Sequence, residues 1–442
     1  MSEQTKTTPL DKGTALALRW ITKLGGHSAL QDPERRKLVS KIIFTSTRQG
    51  LRTESQVRQV FSKVNTNGSK PARAKTGKPR PVFDLNPTED QQMIQEAARE
   101  LASQVLRPAA LDADTTRAVP AAVKEQALEL GLALIGVPDA LGGIAEERSA
   151  VTAVLTIEAL AHGDIGLATA LMAPAAVAST IALYGNASQQ ATYLPAFTED
   201  EPPHAALALQ EPQPLFDPLS PKTTAKRAGT DLVINGTKAL VANPDDAALF
   251  IVGVELDGEA RLAIIESGTK GVLIEDDPAM GIRAAHTGRI VLKDVTIPEA
   301  NLLGTAEDHI DAVRRSRLAW AAAAVGGAQA ALDQLIPYVK EREAFGEPIA
   351  YRQAVAFTVA DIAVELEGLR LVVLRAASRL DLGKDASHQI AHARQLAATY
   401  ATQIGSHAVQ LLGGHGYVKE YPNERWYRDL RGVGVLEGTL LV

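Results

Sequence analysis

The chain has no cysteine. That excludes disulfides, thiolate metal sites and a cysteine nucleophile, and it accords with a reducing cytoplasm. Aromatic residues make up only 4% of the sequence, and alanine and leucine fill the space instead, a bias that favours helices. No uninterrupted apolar run reaches the ~20 residues of a membrane span. No basic flank precedes an apolar core at the N-terminus, so no secretory signal is expected. The glycine-rich pieces never form G-x-G-x-x-G after a strand, which argues against a Rossmann nucleotide site. No His, Asp or Glu set has the spacing of metal ligands, so no metal is expected. Internal repeats are absent.

What is present is ordinary in amount and uneven in distribution. Hydrophobic residues at 45% and charged residues at 22% are typical of soluble globular proteins. A length of 442 residues exceeds one hydrophobic core and predicts two to four structural units. The net charge of −6 hides a split: residues 1–84 hold 17 Lys/Arg against 6 Asp/Glu, a surplus of 11, leaving −17 on the remainder. Such a basic segment seeks an anionic partner, or docks on the acidic body of its own protein or oligomer. Its charges are spread rather than blocked, which favours docking over nucleic acid.

Helical patterns at 9–24, 32–48 and 54–64 form a basic N-terminal extension over 1–64, followed by a Lys/Pro/Gly linker over 65–84. The main body opens at Pro87-Thr-Glu-Asp, with acidic residues in the first turn of a helix. Helical spacing runs from Met93 to Leu106 and over about 118–131, 147–161 and 166–184, giving a helical domain over 85–203. From His204 the period changes to short apolar or alternating runs separated by Gly, Asp and Pro, which predicts a small β domain over 204–305. Asn235-Gly236 reads as a hairpin turn, and Lys238 beside it as a solvated hairpin lysine. Residues 306–442 are helical again, periodic over about 306–340, 350–382 and 386–411. The expected fold is mainly α with a small central β domain and a C-terminal helical bundle.

The chemistry concentrates near the C-terminus. Gln410-Leu-Leu-Gly-Gly414 is followed by His415-Gly-Tyr, then by Tyr421-Pro-Asn-Glu-Arg, then by Leu436-Glu-Gly-Thr439. Glu437 has no other charge within five residues, as expected of a base held in an apolar pocket. A lone Glu near a chain end is otherwise usually a solvated surface residue. His407 and His415 flank the double glycine and read as structural or solvent-facing.

This combination resembles the acyl-CoA dehydrogenase family. So do Val137-Pro…Gly142-Gly143, Tyr184-Gly185…Tyr193-Leu-Pro195, and the run Arg342-x-x-Phe345-Gly346-x-x-Ile349-x-x-x-Gln353-x-x-x-Phe357. The resemblance spans about 85–442 and is densest after 306. It implies FAD as cofactor, an acyl-CoA substrate, and an electron-transfer flavoprotein or other electron acceptor. It implies removal of the proton beside a thioester carbonyl by Glu437, with hydride passing from the next carbon to the flavin. Arg342, Phe345, Gln353, Gln410, Gly413, Gly414 and Thr439 are then cofactor-binding candidates, reaching the flavin of a neighbouring subunit in a dimer or tetramer. Arg317 and Gly438 are substrate-side candidates, although a helix-embedded Arg317 equally suits a buried ion pair. Some branches place the base immediately before this arginine, where this chain has Ser316.

The chain departs from the family pattern in three places. Gln210 stands where Thr or Ser precedes Glu-Pro, and a bulky Gln213–Pro218 stretch follows. Leu240 and Ala242 replace the Trp and Thr that lie against the flavin, and Leu436 replaces a frequent Tyr. A further helix normally continues past Thr439. These departures leave two alternatives open. One is a non-catalytic family member in a heteromer, and the other is a related flavoprotein oxidase or monooxygenase.

Overall fold

The computed structural model describes residues 86–143, 150–438 and 440. The expected N-terminal helices, the linker and Thr439 lie outside the described residues.

The first helix, α1 (Glu89–Leu101), starts at a capping box in which Thr88 accepts from the Gln91 backbone and Gln91 accepts from the Thr88 backbone. The chain runs on through a π turn, Ala102–Leu106, into α2 (Arg107–Thr116). Then come α3 (Ala121–Glu129), α4 (Ala150–Gly163), α5 (Ile165–Tyr184) and α6 (Ala187–Tyr193). By length and composition α5 alone among the described helices is apolar enough to cross a membrane, but 72% of it is packed inside the protein. It is a core helix lying between the bundle and the sheet.

The strands are β1 (His204–Ala208), β2 (Thr224–Ala228), β3 (Asp231–Ala242), β4 (Ala247–Leu256), β5 (Glu259–Glu266), β6 (Val272–Asp276), β7 (Thr287–Pro298) and β8 (Leu302–Leu303). They form one sheet in the order β6-β7-β3-β2-β4-β5-β8, with β1 pairing β4 in parallel. Asp257-Gly258 joins β4 to β5 with φ of 55° and 87°, the signature of a two-residue hairpin. One face buries Ile234, Phe250, Val252 and Ile290 in a core of its own. On the other side Leu249, Ile251 and Ile264 pack with Ile181 and Val177 of α5.

The C-terminal bundle is built from α7 (Ala306–Glu341), α8 (Gln353–Asp381) and α9 (Ser387–Leu412), with the shorter α10 (Asn423–Gly432) as its fourth member. The buried stripe of α7 is largely alanine, which lets it lie close against α4 and α9. Its core is continuous with that of the N-terminal helices.

Two expectations from the sequence are corrected here. Asn235-Gly236 is not a turn: it lies inside β3, where the register with β7 shifts between Ile234 and Gly236. Asn235 Nδ2 donates to Asp294 Oδ1 at 3.0 Å and its Oδ1 accepts the Asp294 N–H at 2.9 Å. A Cβ on Gly236 would stand 2.5 Å from Thr223 Oγ1, so glycine serves close approach rather than chain reversal. The reversal is made instead by Gly229-Thr230 between β2 and β3.

Lys238 is likewise not solvated; it is fully buried. Its Nζ donates to Glu211 Oε1 at 2.7 Å. Burial pulls the ammonium pKa down, and the Glu211 carboxylate opposes that pull. Burial alone would raise the Glu211 carboxyl. Lys238, the Thr223 N–H and the Gln213 amide overturn that and hold it down to about 2. A buried charge whose partner is removed has nowhere to go. Lys238→Met should therefore cost about 3–5 kcal/mol, read as a lower midpoint in urea unfolding. An unchanged midpoint would mean that Glu211 is satisfied without its ammonium.

Candidate active site

A cavity of about 670 Å³ lies between α5, the sheet and α7. It falls in the range of small-ligand sites. Its wall is mostly small and apolar, and its polar groups include Gln210, Ser316 and Glu437, with Arg315, Arg428 and Arg431 also on the lining.

The carboxylate reaches the cavity because of how the chain turns after α10. Glu437 and Gly438 are consecutive residues in the left-handed region, with φ of 57° and 88°. A Cβ at position 438 would stand 2.7 Å from Pro218 Cδ and 2.8 Å from the Phe216 carbonyl, so only glycine fits. A non-glycine residue in this region is strained by about 1–2 kcal/mol, and hydrogen bonds offset that strain at Glu437. Arg317 donates through Nε and an Nη to the Glu437 carbonyl at 3.1 and 2.9 Å. Arg394 donates to the Gly438 carbonyl. The Gly438 N–H donates to Gln210 Oε1 at 3.0 Å.

The carboxylate itself is only 9% exposed. Its Oε1 accepts the Ser316 hydroxyl at 2.9 Å, and its Oε2 is buried with no hydrogen-bond partner. Burial raises its pKa; the Ser316 hydroxyl, the guanidinium groups of Arg394 and Arg317 and the Trp320 indole offset the rise in part. A buried carboxylate with a raised pKa on the wall of a largely apolar cavity is suited to accept a proton from carbon.

Arg317 makes no ion pair among the described residues and is not on the cavity wall; it donates to the backbone carbonyl of Glu437. Gly438 also lies off the cavity wall, with both of its polar groups engaged. Ser316 is the partner of the carboxylate rather than its substitute. Arg394 was not foreseen. Its only signal is an arginine on the otherwise apolar stripe Ile390, Ala393, Ala397 and Ala401 of α9. Burial and Arg317 pull its pKa down to about 10, and Glu437 opposes them.

Arg342, Phe345, Gln353, Gln410, Gly413 and Gly414 are all exposed, and none lines the cavity. They share one end of the bundle. Tyr338, one turn before Arg342, donates to the Leu412 carbonyl at 3.1 Å and contacts His415 Nδ1 at 3.0 Å, and His415 stacks on Tyr421. Phe345 and Gly346, with φ of 58° and 81°, turn a short hairpin between β9 (Glu343–Ala344) and β10 (Glu347–Pro348). Phe345 is 96% exposed there, with the Arg352 guanidinium 5.7 Å over its ring. Arg342 has no ion-pair partner among the described residues, and nothing lies within 4 Å of a Cβ placed at Gly413 or Gly414. A free donor fork beside an open glycine backbone suits a phosphate-bearing cofactor. Leu240 and Ala242 of β3 both face the cavity, as expected of the flavin wall. Leu240 is held at φ 52° by its N–H bond to Asp277 Oδ2 at 3.1 Å. The residues present therefore fit FAD, with a smaller stacking surface and no hydroxyl at position 242.

A helical domain, a β domain and a helical bundle surround an apolar cavity with a buried carboxylate on its wall, and the similar proteins are oxidoreductases acting on CH–CH bonds. The chain belongs to the acyl-CoA dehydrogenase family, whose members bind FAD. The family's N-terminal, middle and C-terminal domains match residues 88–201, 206–295 and 309–441. The chain is 34% identical to the probable acyl-CoA dehydrogenase YngJ of Bacillus subtilis over 368 residues, covering 81% of this chain and 96% of that protein. It is 32% identical to the mitochondrial short-chain specific acyl-CoA dehydrogenase of Mus musculus, covering 79% and 87%. Among solved structures, the butyryl-CoA dehydrogenase of Megasphaera elsdenii superposes with a TM-score of 0.75 at 28% identity, covering 81% and 97%.

Removing the exposed fork tests the cofactor assignment. Arg342→Ala should lose a charge-assisted contact of about 1.5–3 kcal/mol, so FAD content after gel filtration falls while the melting temperature of the flavin-free protein stays put. Full retention of flavin would take Arg342 out of the site.

Proposed function

We propose that this protein is an FAD-dependent acyl-CoA dehydrogenase that converts an acyl-CoA thioester to the 2,3-enoyl-CoA, with Glu437 as the base. The observation that carries this reading is the Glu437 carboxylate, buried and raised in pKa on the wall of a largely apolar cavity.

Each residue has a stated task. The Glu437 carboxylate takes the proton from the carbon beside the thioester carbonyl, and the Ser316 hydroxyl on Oε1 orients it. The apolar wall excludes water, which keeps the carboxylate unsolvated and reactive. Arg317 and Arg394 hold the turn on which the base stands. Bound FAD supplies the two-electron acceptor for the adjacent carbon, and an electron-transfer flavoprotein or other acceptor takes those electrons onward. Arg342, Phe345, Gln353 and the Gly413-Gly414 backbone hold the cofactor of a neighbouring copy, so the working unit is a dimer or a pair of dimers.

The decisive experiment is anaerobic bleaching of the flavin by saturated acyl-CoA of several chain lengths. Glu437→Gln keeps the shape of the side chain but not its basicity, and should slow bleaching by ~10²–10⁴-fold while FAD stays bound. Wild-type protein that holds flavin and is bleached by no thioester would sink the dehydrogenase reading. Protein that holds no flavin would favour the non-catalytic subunit.

The pH dependence has a defined sign. The Ser316 hydrogen bond favours the charged carboxylate. Its loss in Ser316→Ala raises the Glu437 pKa further, so the acid limb of the bleaching-rate profile should move to higher pH. A limb that stays in place or moves down would show that Ser316 does not tune the base.

A further inference from the structure

The stretch after β1 departs from the family pattern at Gln210, and the structure gives that departure a use. Gln210 lies at the end of the middle domain's first strand, yet its side-chain carbonyl accepts the N–H of Gly438 at 3.0 Å, across 228 positions of sequence. The carbonyls of Glu437 and Gly438 are held by Arg317 and Arg394, which both belong to the helical bundle. Among the described residues, Gln210 is the one side chain of the β domain hydrogen-bonded to this turn.

Gln210 is itself held firmly. Its backbone carbonyl accepts the Ala239 N–H at 2.9 Å. The next residue, Glu211, is 2% exposed. It accepts from Lys238 Nζ at 2.7 Å, from Gln213 Nε2 at 2.7 Å, and from the backbone N–H groups of Lys222 and Thr223, both at 2.9 Å. A buried carboxylate with four donors is a rigid knot, and Gln210 is the residue beside it. Rigidity therefore passes from the Lys238–Glu211 pair through Gln210 to Gly438 and so to the base.

We propose that Gln210 is a positioning residue, whose side-chain carbonyl ties the base-bearing turn to the β domain and sets where the Glu437 carboxylate stands in the cavity. The proposal rests on the reading of Glu437 as the base. Glutamine suits the task on chemical grounds. A hydroxyl would be too short to span from the strand end to Gly438. A carboxylate of the same length would put a second negative charge beside Glu437. The amide is a long, neutral acceptor. Without it the Gly438 N–H is left unpaired at a buried position, and two consecutive left-handed residues lose one of their restraints.

The test uses Gln210→Met, which keeps the length and removes the acceptor, and Gln210→Glu, which keeps the acceptor and adds charge. In the flavin-free protein, the infrared band of the protonated Glu437 carboxyl is followed against pH. Its assignment comes from its loss when Glu437→Gln is added to each variant. Gln210→Met should move the midpoint down toward the ordinary carboxylate value, because a loosened turn lets water reach the carboxylate. Gln210→Glu should move it up. In the flavin-loaded protein, Gln210→Met should slow anaerobic bleaching by about 100-fold, the cost of a misplacement of about 1 Å. Its affinity for an unreactive thioether analogue of acyl-CoA should fall far less than the rate does, since Gln210 is one wall residue among many and the rest of the wall is unchanged. A Met variant that titrates and bleaches as the wild type does would overturn the proposal. If the Met variant does not fold, Gln210→Asn, whose shorter side chain cannot hold the 3.0 Å contact to the Gly438 N–H, takes its place, and an unmoved midpoint and bleaching rate in it overturn the proposal equally. Should the wild type hold flavin and no thioester bleach it, the dehydrogenase reading fails by itself, and the infrared midpoints still decide whether Gln210 holds the turn.

Discussion

The interaction on which the rest of the described structure depends is the burial of α10 between three domains. Arg425 pairs with Asp164, the N-cap of α5, at 3.2 Å, with both side chains almost fully buried. Asp429 accepts the backbone N–H of Ile282 from the β domain. Arg428 pairs with Asp114 of α2 at 2.8 Å and with Glu424 at 2.8 Å, and donates to the Met280 carbonyl. Arg107 lies 4.9 Å over the ring of Trp426. One ten-residue helix thereby fixes the N-terminal helices, the sheet and the bundle to one another, and the base stands five residues beyond its end. Burial, and then Asp164, raise the carboxyl pKa of Asp429, while the Ile282 N–H and the arginines oppose the rise. Hydrophobic residues of similar size would often serve stability as well as such buried ionic groups do. What the ions add is direction: each one can be satisfied in a single docking of the three domains.

How much of this was legible in the sequence follows from the range of the interactions. Elements set by local periodicity read directly: α7, α8 and α9 from the 3.6 spacing, and the onset of strands at His204 from the loss of it. Glu437 was legible because its surroundings in sequence, apolar with Gly-Thr after it, match its surroundings in space. Asn235-Gly236 was misread because a strong turn signal was overridden by Thr223 packing against the glycine from the neighbouring strand. Lys238 was misread because nothing within the hairpin segment reveals that Glu211 lies 2.7 Å away. The contacts that hold the base turn span 120, 44 and 228 positions. No window of sequence contains them, so Gln210 read only as a departure and Arg394 did not stand out at all.

The arrangement of charge around the base is itself informative. Two guanidinium groups lie close enough to Glu437 to influence its titration, yet the hydrogen bonds each makes to the turn go to backbone carbonyls rather than to the carboxylate. A direct bidentate pair with either arginine would have depressed the pKa strongly and occupied both oxygens. Such a carboxylate would be well placed and chemically inert toward a carbon acid. Binding the carbonyls instead gives position without neutralisation. Burial then raises the proton affinity, and the Ser316 hydroxyl, the two guanidinium groups and the Trp320 indole temper it. The strained left-handed backbone at Glu437 belongs to the same arrangement, because an extended residue there would not present both its carbonyl to Arg317 and its side chain to Ser316 on the same helix.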